Sequence, residues 1–419
     1  MSHVRGLLSV IIGVLAISIS ISPSSLAQTD EFNVITLGLL WESEQLHNAT
    51  LWSVAWSPNA SYISATFFDN TTVVVNSTTG EAVTKIGPHR EEWLAERTRC
   101  DAIKECEVEN HYPARSSTWS PDGKHLAVGG DDTYIKVYDT ESWEIEKVLS
   151  GHKGSVLSVS WSHDGRFIAS GSGTDKVDVH NADSRENIIK IWDFGTGIAV
   201  QNLTGHQDGI LQLRWSSDQS LLVSASDDST LKMWNTTTWN NVLNFTGDVE
   251  FGTGHSLGVL TVDWSPNETL LVSGSRDYTV VVWNATTGDE VAKWSAPNCV
   301  RSVDWHPYAD LISASGVQES YLMIRNSTTG SILKTFRENE KVGGVIQSSA
   351  WSLDGKRLAA GSNVEAKIRV YAFGAGGPSE AGGIPDWLPS LLLFFVIFAL
   401  IIVAVSVRIP SKIRNYERR

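Results

Sequence analysis

Histidine, serine and aspartate recur in this chain in a combination that can serve nucleophilic catalysis. His206, Ser224 and Asp228 form one such set, and the same spacing returns from His255 onward. A histidine beside a serine could activate its hydroxyl, with the aspartate orienting the imidazole. However, the sequence contains no nucleophile-elbow serine turn, no histidine pair at metal-binding spacing and no glycine-rich cofactor loop. We therefore predict no catalytic residue, cofactor or metal ion, and keep an extracytoplasmic hydrolase or dehydrogenase-like enzyme as the alternative.

A second group of polar side chains could bind a metal ion. Asp178, His180 and Asp183 lie in an insertion, residues 173–187. Carboxylate and imidazole groups are ordinary metal ligands. Their spacing matches no metal-binding loop, so a solvated acidic hairpin is the favoured interpretation.

Seven tryptophans mark the internal repeat that must position these groups. Each ends an alternating apolar stretch and is followed by a turn such as "SPDG" or "SPNE". Two further stretches follow, of the type "LLVSAS" and "LKMWNTT", which predict β-strands because apolar residues alternate along them. The repeating tryptophans are Trp56, Trp119, Trp161, Trp215, Trp264, Trp305 and Trp351.

The repeat, which is roughly forty residues long with some insertions, resembles the four-stranded blade of a WD-repeat propeller. The resemblance covers residues 33–373 and implies an all-β fold with seven blades. The last repeat ends after its third strand, "AKIRVYAF". We expect residues 33–41, "NVITLGLLW", to complete that blade and to cover its exposed edge.

In WD-repeat proteins a histidine, a serine or threonine, an aspartate and a tryptophan of one blade form a buried hydrogen-bonded set. The resemblance therefore implies a structural role for these groups rather than catalysis. Three blades match, although an insertion displaces Asp175. The matching residues are His152, Ser170, Asp175, Trp192, His206, Ser224, Asp228, Trp234, His255, Ser273, Asp277 and Trp283. The remaining blades carry Val75, Tyr138, Arg325 or Tyr371 in place of the tryptophan.

The two ends of the chain predict a type I, single-pass protein of the cell membrane. Residues 1–27 combine Arg5, an apolar stretch and small residues, which indicates a cleaved signal peptide, with an N-terminal anchor as the alternative. Residues 388–407 are uncharged and long enough to cross a bilayer as a helix, with a buried core helix as the alternative. The flexible linker 374–386 precedes them, and the basic tail 408–419 predicts a cytoplasmic C-terminus. The propeller is then extracellular.

Asparagines in the sequence Asn-x-Ser/Thr predict glycosylation outside the cytoplasm, although asparagine is also a common turn residue. The propeller resemblance places most of them on one face, formed by the turns from first to second and from third to fourth strands. We name this the bottom face and the opposite one the top face. The sequons are at Asn48, Asn59, Asn70, Asn76, Asn202, Asn235, Asn244, Asn267, Asn284 and Asn326.

The chain has three cysteines. Cys100 and Cys106 lie close together in "CDAIKEC", and we expect them to form a disulfide in an oxidising compartment. Two reduced or metal-binding cysteines are the alternatives. Cys299 is left over and is expected to be a small buried residue.

The formal net charge of −14 argues against nucleic acid as a partner. The favoured function is a cell-surface interaction scaffold that binds an unknown protein or peptide on its top face. A receptor that signals through a membrane partner is a further alternative. Both long insertions, 88–114 and 173–187, fall on that face, and the first supplies a candidate partner surface, with packing against the propeller rim as the alternative. Its residues are Trp93, Leu94, Arg90, Arg97 and Arg99.

Overall fold

The computed structural model describes residues 35–46, 49–87, 113–173, 186–248, 251–316, 321–337, 346–363 and 365–375. These residues form 28 strands in seven four-stranded sheets. Among them no helix is long and apolar enough to cross a bilayer. The predicted signal peptide, the segment 388–407 and the basic tail lie outside the described residues.

The strands follow one another as antiparallel meanders. Blade one contains β2 (Leu51–Trp56), β3 (Tyr62–Phe67), β4 (Thr72–Asn76) and β5 (Ala82–Ile86). Blade two contains β6 (Ala114–Trp119), β7 (His125–Gly130), β8 (Ile135–Asp139) and β9 (Ile145–Leu149). Blade three contains β10 (Ser155–Trp161), β11 (Phe167–Gly173), β12 (Ile188–Asp193) and β13 (Ile198–Thr204). Blade four contains β14 (Ile210–Trp215), β15 (Leu221–Ser226), β16 (Leu231–Asn235) and β17 (Asn241–Phe245).

The remaining three blades repeat this arrangement. Blade five contains β18 (Val259–Trp264), β19 (Leu270–Ser275), β20 (Thr279–Asn284) and β21 (Glu290–Ser295). Blade six contains β22 (Val300–Trp305), β23 (Leu311–Gly316), β24 (Tyr321–Asn326) and β25 (Ile332–Arg337). Blade seven contains β26 (Ile346–Trp351), β27 (Arg357–Ser362), β28 (Lys367–Ala375) and the N-terminal β1 (Ile35–Glu42).

Burial along each blade explains why its strands differ in composition. The second strands are almost continuously buried, as in β15, because neighbouring blades cover both faces of the sheet. The fourth strands are largely exposed, as in β17. Apolar side chains pack between adjacent blades, and one such cluster joins Met233 and Phe245 of blade four to Trp264 and Trp283 of blade five. Full burial of a side chain of this size contributes roughly 1.5–3 kcal/mol.

The first strands of adjacent blades contact one another in a closed cycle and so form the wall of a central channel. In four blades the tryptophan that ends the first strand donates a hydrogen bond to the preceding blade. Trp56 donates from Nε1 to the carbonyl of Ala350 at 2.8 Å, and Trp215 does the same to Ser160 at 3.1 Å. Trp119 and Trp264 repeat this bond, whereas Nε1 of Trp161, Trp305 and Trp351 makes no hydrogen bond with a described residue.

A second set of contacts between blades also involves the first strands. A side-chain oxygen of one first strand accepts the backbone N–H of the following one at six of the seven junctions, within the described residues. These bonds join Val54 to Ser348, Val159 to Ser116, Leu213 to Ser158, Val262 to Gln212, Val303 to Thr261 and Ser349 to Ser302, at 2.8–3.3 Å.

The ring closes through the two termini of the propeller, as predicted. Strand β1 is hydrogen-bonded to β28, and the N–H of Ser43 donates to the carbonyl of Ile368 at 2.9 Å. Glu42 on β1 forms ion pairs with Lys367 and Arg369 of β28. The prediction of seven blades sealed by the N-terminal strand is confirmed. Because β28 extends to Ala375, the first two residues of the predicted linker continue this strand.

Candidate functional site

The histidine of blade four links a connection between blades to a turn of the top face. His206 precedes the first strand, and its Nε2 lies 2.7 Å from Oγ of Ser224. Its Nδ1 lies 2.8 Å from Oδ2 of Asp228, which also accepts the N–H of Gln207 at 2.9 Å. Trp234 donates from Nε1 to the same serine hydroxyl at 2.9 Å. The structure thus brings all four residues of this set together.

Blade five repeats this arrangement closely. Nε2 of His255 lies 2.7 Å from Oγ of Ser273, and Nδ1 lies 3.1 Å from Oδ2 of Asp277. Trp283 donates to the serine hydroxyl at 2.7 Å. The serine is fully buried and the histidine nearly so. A substrate cannot reach such a hydroxyl without unfolding the blade, so this geometry favours a structural network over a catalytic triad.

Blade three takes its acid from an unexpected position. His152 contacts Ser170 at 2.7 Å, and Trp192 donates to the same hydroxyl at 2.7 Å. Oε2 of Glu186 lies 3.1 Å from Nδ1 of His152 and accepts the N–H of Lys153 at 2.6 Å. Asp175, the acid that the sequence pattern selected, lies outside the described residues.

The acids of these networks are held in the charged state. Burial alone would raise the pKa of Glu186, but hydrogen bonds from His152 and from the backbone of Lys153 outweigh it and lower the pKa to about 2. Although burial alone would raise the pKa of Asp228 and Asp277, hydrogen bonds from the histidine and from the following backbone N–H of their own blades likewise hold it below the usual range. Burial lowers the pKa of His152, against the pull of Glu186. These networks therefore fix the loops of the top face as rigid, charged hydrogen-bonded units.

The mouth of the channel on the top face is shaped by one β-bulge in each blade. Every first strand shifts its register by one residue where it meets the second strand. The bulge residues are Trp52, Arg115, Leu157, Leu211, Leu260, Arg301 and Gln347. We name these seven residues the mouth ring. All of them lie four residues before the first-strand tryptophan, a spacing that could have revealed them in the sequence.

In blades one and two the residue of the mouth ring contacts the residue that follows the second strand of its own blade. In blade two, Arg115 binds Asp131 through two bonds of 2.7 and 2.6 Å. In blade one, Trp52 lies 6.4 Å from Phe68 between ring centroids, and the guanidinium of Arg115 sits 4.4 Å from the same Trp52 ring. In these two blades the side chains at the facing positions therefore also match, as an ion pair in blade two and as an aromatic contact in blade one.

Large apolar side chains are exposed on the top face of blades four and five. Phe251 and Leu257 in the connection between these blades are 80% and 52% exposed, and Tyr278 in the next turn is 50% exposed. The turn and the connection are linked, because the N–H of Arg276 donates to the carbonyl of Gly258 at 3.0 Å. The side chain of Arg276 also pairs with Asp227 at 3.0 Å.

Deeper in the channel wall, three charged groups from consecutive blades converge. Arg214 lies 3.5 Å from Asp263, and Asp263 interacts electrostatically with Asp304. Burial raises the pKa of both acids, and the charge of Asp263 raises that of Asp304 further. Each acid also accepts the backbone N–H of the next blade's tryptophan, Trp305 or Trp351. The sequence analysis did not single out this cluster.

The sequons occupy the turns and outer strands of the propeller. Asn202 and Asn244 lie on fourth strands, Asn70 lies on the top face, and Asn48 lies outside the described residues. In the turns, Oδ1 of the asparagine accepts backbone N–H groups, as in Asn235 with Thr237 and Thr238. Asp139 and Asp193 fill the equivalent place in blades two and three. The sequons on the bottom face are Asn59, Asn76, Asn235, Asn267, Asn284 and Asn326.

Several other candidate residues lie outside the described residues. They are the partner-surface residues Trp93, Leu94, Arg90, Arg97 and Arg99, the cysteines Cys100 and Cys106, and the possible ligands Asp178, His180 and Asp183. Cys299 is a free thiol at the channel mouth and is partly exposed, whereas the sequence analysis expected it to be buried. No group of three potential metal ligands occurs in the part of the chain that the structure describes.

Comparison with known proteins agrees with this geometry. The WD40 family, described as WD domain, G-beta repeat, matches residues 43–76, 104–139, 143–193, 197–235 and 249–284. A nuclear distribution protein PAC1 from Coccidioides posadasii is 30% identical over 125 residues, which is 28% of this chain and 26% of that protein. The anaphase-promoting complex subunit cdh1 of Dictyostelium discoideum is 27% identical over 146 residues, 34% of this chain and 18% of that protein.

A second PAC1 protein, from Arthroderma otae, is 25% identical over 175 residues, 32% of this chain and 38% of that protein. The chain therefore spans well under half the length of the curated relatives that it matches. The sheets, their hydrogen-bonded networks and these matches lead to one conclusion. The protein is a seven-bladed β-propeller that carries WD40 repeats.

Proposed function

We propose that this protein is a membrane-anchored, cell-surface propeller that binds a partner protein on its top face. The observation that carries the proposal is the difference between the two faces. The top face exposes Phe251, Leu257 and Tyr278, whereas the bottom face, which exposes Tyr308 and Leu353, carries most of the sequons. Exposed apolar groups near arginines and aromatics are typical of interaction surfaces, and glycans would obstruct a large interface.

The top face is also built to hold its shape. His206 and His255 each tie a connection between blades to a turn of the same face, through Asp228 and Asp277. A surface that is ordered before binding loses less conformational entropy when its partner arrives. These networks therefore support binding, although they do not contact the partner themselves.

The proposed location rests on the chain ends and on the sequons. Residues 1–27 and 388–407 have the composition of a signal peptide and a membrane-spanning helix. In the described part of the chain, the sequon asparagines donate no hydrogen bond from Nδ2, the atom to which a glycan is attached. Their Oδ1 atoms stabilise the turns, so a turn role and glycosylation are compatible. The anchor would leave the top face open to partners outside the cell.

The binding proposal can be tested by cross-linking on intact cells, followed by mass spectrometry of what is captured. The variant L257A/Y278A should reduce capture about thirtyfold, since each of the two truncations removes an exposed anchor worth about 1 kcal/mol. The matched control is Y308A/L353A, which removes residues of similar type and exposure, 75% and 57%, from the bottom face. Equal loss in both variants, or no loss in either, would contradict a top-face site.

The location needs a separate test. Protease added to intact cells should degrade the propeller and leave a fragment that carries the tail 408–419. Glycopeptide mapping of Asn235, Asn284 and Asn326 should find glycans on the bottom face. A protected propeller with three unmodified asparagines would refute the cell-surface proposal without affecting the binding proposal.

One observation favours a second candidate function, an enzyme. Arg214, Asp263 and Asp304 converge in the channel, and paired carboxyl groups with raised pKa can share a proton and act as acid and base. However, both acids already accept backbone N–H groups from the next blade, which gives them a structural task. Hydrolysis of glycoside, ester or peptide substrates by the wild type and its loss in D263N would favour the enzyme.

A further inference from the structure

The guanidinium of Arg301 is a charge without a partner in the mouth ring. The side chain makes no hydrogen bond or ion pair with any described residue, and its Nε is shielded from solvent. The residue as a whole remains partly exposed, so its outer nitrogens can be reached from the top face. Buried charges in proteins are normally paired, because removing a charge from water is costly.

The register explains why Arg301 lacks a partner while Arg115 has one. Arg115 and Arg301 both occupy the bulge position, and Asp131, the residue after the second strand of blade two, binds Arg115. In the sequence, the residue that follows Gly316, the end of the second strand of blade six, is Val317, and a valine side chain has no hydrogen-bond acceptor. Among the described residues, blade six therefore presents an arginine without an acid.

Two more arginines lie near enough to act on Arg301. Burial lowers its pKa, and the charges of Arg276 and Arg115 lower it further, whereas Cys299 and Asp227 act in the opposite sense. Arg276 is paired with Asp227, and Arg115 is paired with Asp131. The two charges within each pair balance, so among these described residues the unbalanced charge is the positive charge of Arg301.

We propose that Arg301 binds the side-chain carboxylate of an aspartate or glutamate in a partner peptide that crosses the channel mouth. A single positive charge matches a carboxylate better than it matches a doubly charged phosphate. The neighbours of Arg301 in the mouth ring are Leu260 of blade five and Gln347 of blade seven, and Leu257 and Tyr278 are exposed on the top face of blade five. A peptide that places its acid on Arg301 can therefore place apolar residues on the blade-five side and polar ones on the blade-seven side.

This inference rests on the proposed top-face binding function and names the chemistry of its partner. Peptide pools with both termini blocked and a central glutamate, glutamine or phosphoserine are the probe, and the full chain is the target. We expect about tenfold tighter binding to glutamate than to glutamine peptides, the amount that one charge-assisted hydrogen bond supplies. The variant R301Q should lose this preference and keep its thermal unfolding. The control R166Q removes an exposed arginine from the bottom face and should retain the preference.

Each contrary outcome has a distinct meaning. Retention of the glutamate preference in R301Q refutes the role of Arg301. A preference for phosphoserine, or binding only by peptides with a free C-terminus, refutes the proposed source of the carboxylate. In the sequence, Glu319 lies between Gly316 and Tyr321 of blade six. Binding that emerges only in the variant E319Q shows that this acid of the chain itself is the occupant and refutes a partner peptide. Top-face capture of a partner without any acid preference refutes this inference and leaves the proposed function standing. If the wild type captures neither a peptide nor a partner, both are wrong.

Discussion

Oδ2 of Asp304 accepts the backbone N–H of Trp351, in the next blade, at 2.6 Å. Asp263 makes the equivalent bond to Trp305 at 2.7 Å, so two neighbouring acids each fasten the following blade. Burial and the charge of Asp263 raise the pKa of Asp304, so this acid keeps its proton to higher pH. The channel wall is therefore coupled to pH through groups that connect blades five, six and seven.

The first prediction concerns Asp304→Asn. Burial and the charge of Asp263 raise the pKa of Asp304, so the folded state keeps a proton that the unfolded chain has lost above its ordinary pKa of about 4. This acid therefore destabilises the fold increasingly as pH rises. The amide needs no proton and can donate to Asp263 and accept from Trp351. The free energies of unfolding of D304N and the wild type, measured by urea titration, should agree within about 0.5 kcal/mol near pH 4.5. Towards pH 8 the variant should be the more stable of the two.

The matched control is Asp218→Asn, because the pKa of Asp218 is lowered in the folded state whereas that of Asp304 is raised. Hydrogen bonds from Ser216 and Ser220 lower the pKa of Asp218, so its contribution is present above the unfolded pKa and is lost in acid. D218N should therefore be less stable than the wild type at pH 8 and approach it in acid. If D304N raises the free energy of unfolding by the same amount at every pH, Asp304 does not keep a proton in the folded state.

The second prediction concerns Glu186→Gln. The pKa of Glu186 falls to about 2, and burial lowers that of His152, so both groups contribute stability that is lost as pH falls. E186Q should lower the free energy of unfolding at pH 7 by about 1–3 kcal/mol, because it weakens two charge-assisted hydrogen bonds. It should also flatten the decline of the urea midpoint between pH 7 and pH 3. The control is D175N, whose free energy of unfolding should match that of the wild type. If D175N is destabilised and E186Q is not, Asp175 and not Glu186 is the acid that pairs with His152.

Blade three shows where sequence reasoning reached its limit. The repeating tryptophans and the alternating strands sufficed for seven blades, because those features follow from local periodicity. Glu186 was missed because the insertion before it breaks the spacing that identified Asp228 and Asp277. The bulge residues have a constant spacing from the tryptophans, but the pairing of Arg115 with Asp131 was missed because it depends on the register between the two strands.

The third prediction concerns a tryptophan in an unfavourable backbone conformation. Trp239 has φ of 59° in the turn after β16, where four other blades place a glycine at 71–81°. Its indole packs edge-on against Trp215 and Phe167, at 6.2 and 6.0 Å, which offsets the backbone strain. Trp239→Gly loses the contacts and relieves the strain, whereas Trp239→Ala loses the contacts and keeps the strain. We expect W239G to exceed W239A in free energy of unfolding by about 1 kcal/mol, as measured by urea titration. Equal stability would show that the turn adapts its backbone to alanine.

The fourth prediction compares two arginines that occupy the same bulge position. Arg115→Met leaves Asp131, which is 16% exposed, without its bidentate partner, and should lower the free energy of unfolding by about 1–3 kcal/mol. Arg301→Met removes a partly buried charge that has no partner among the described residues, and fills a similar volume with apolar atoms. It should therefore leave the midpoint of thermal unfolding unchanged or raise it. Differential scanning fluorimetry of both variants decides the matter, since a shared loss would mean that Arg301 stabilises the fold. Opposite signs would mean that blade six keeps its arginine at a cost to stability, as expected of a residue retained for binding.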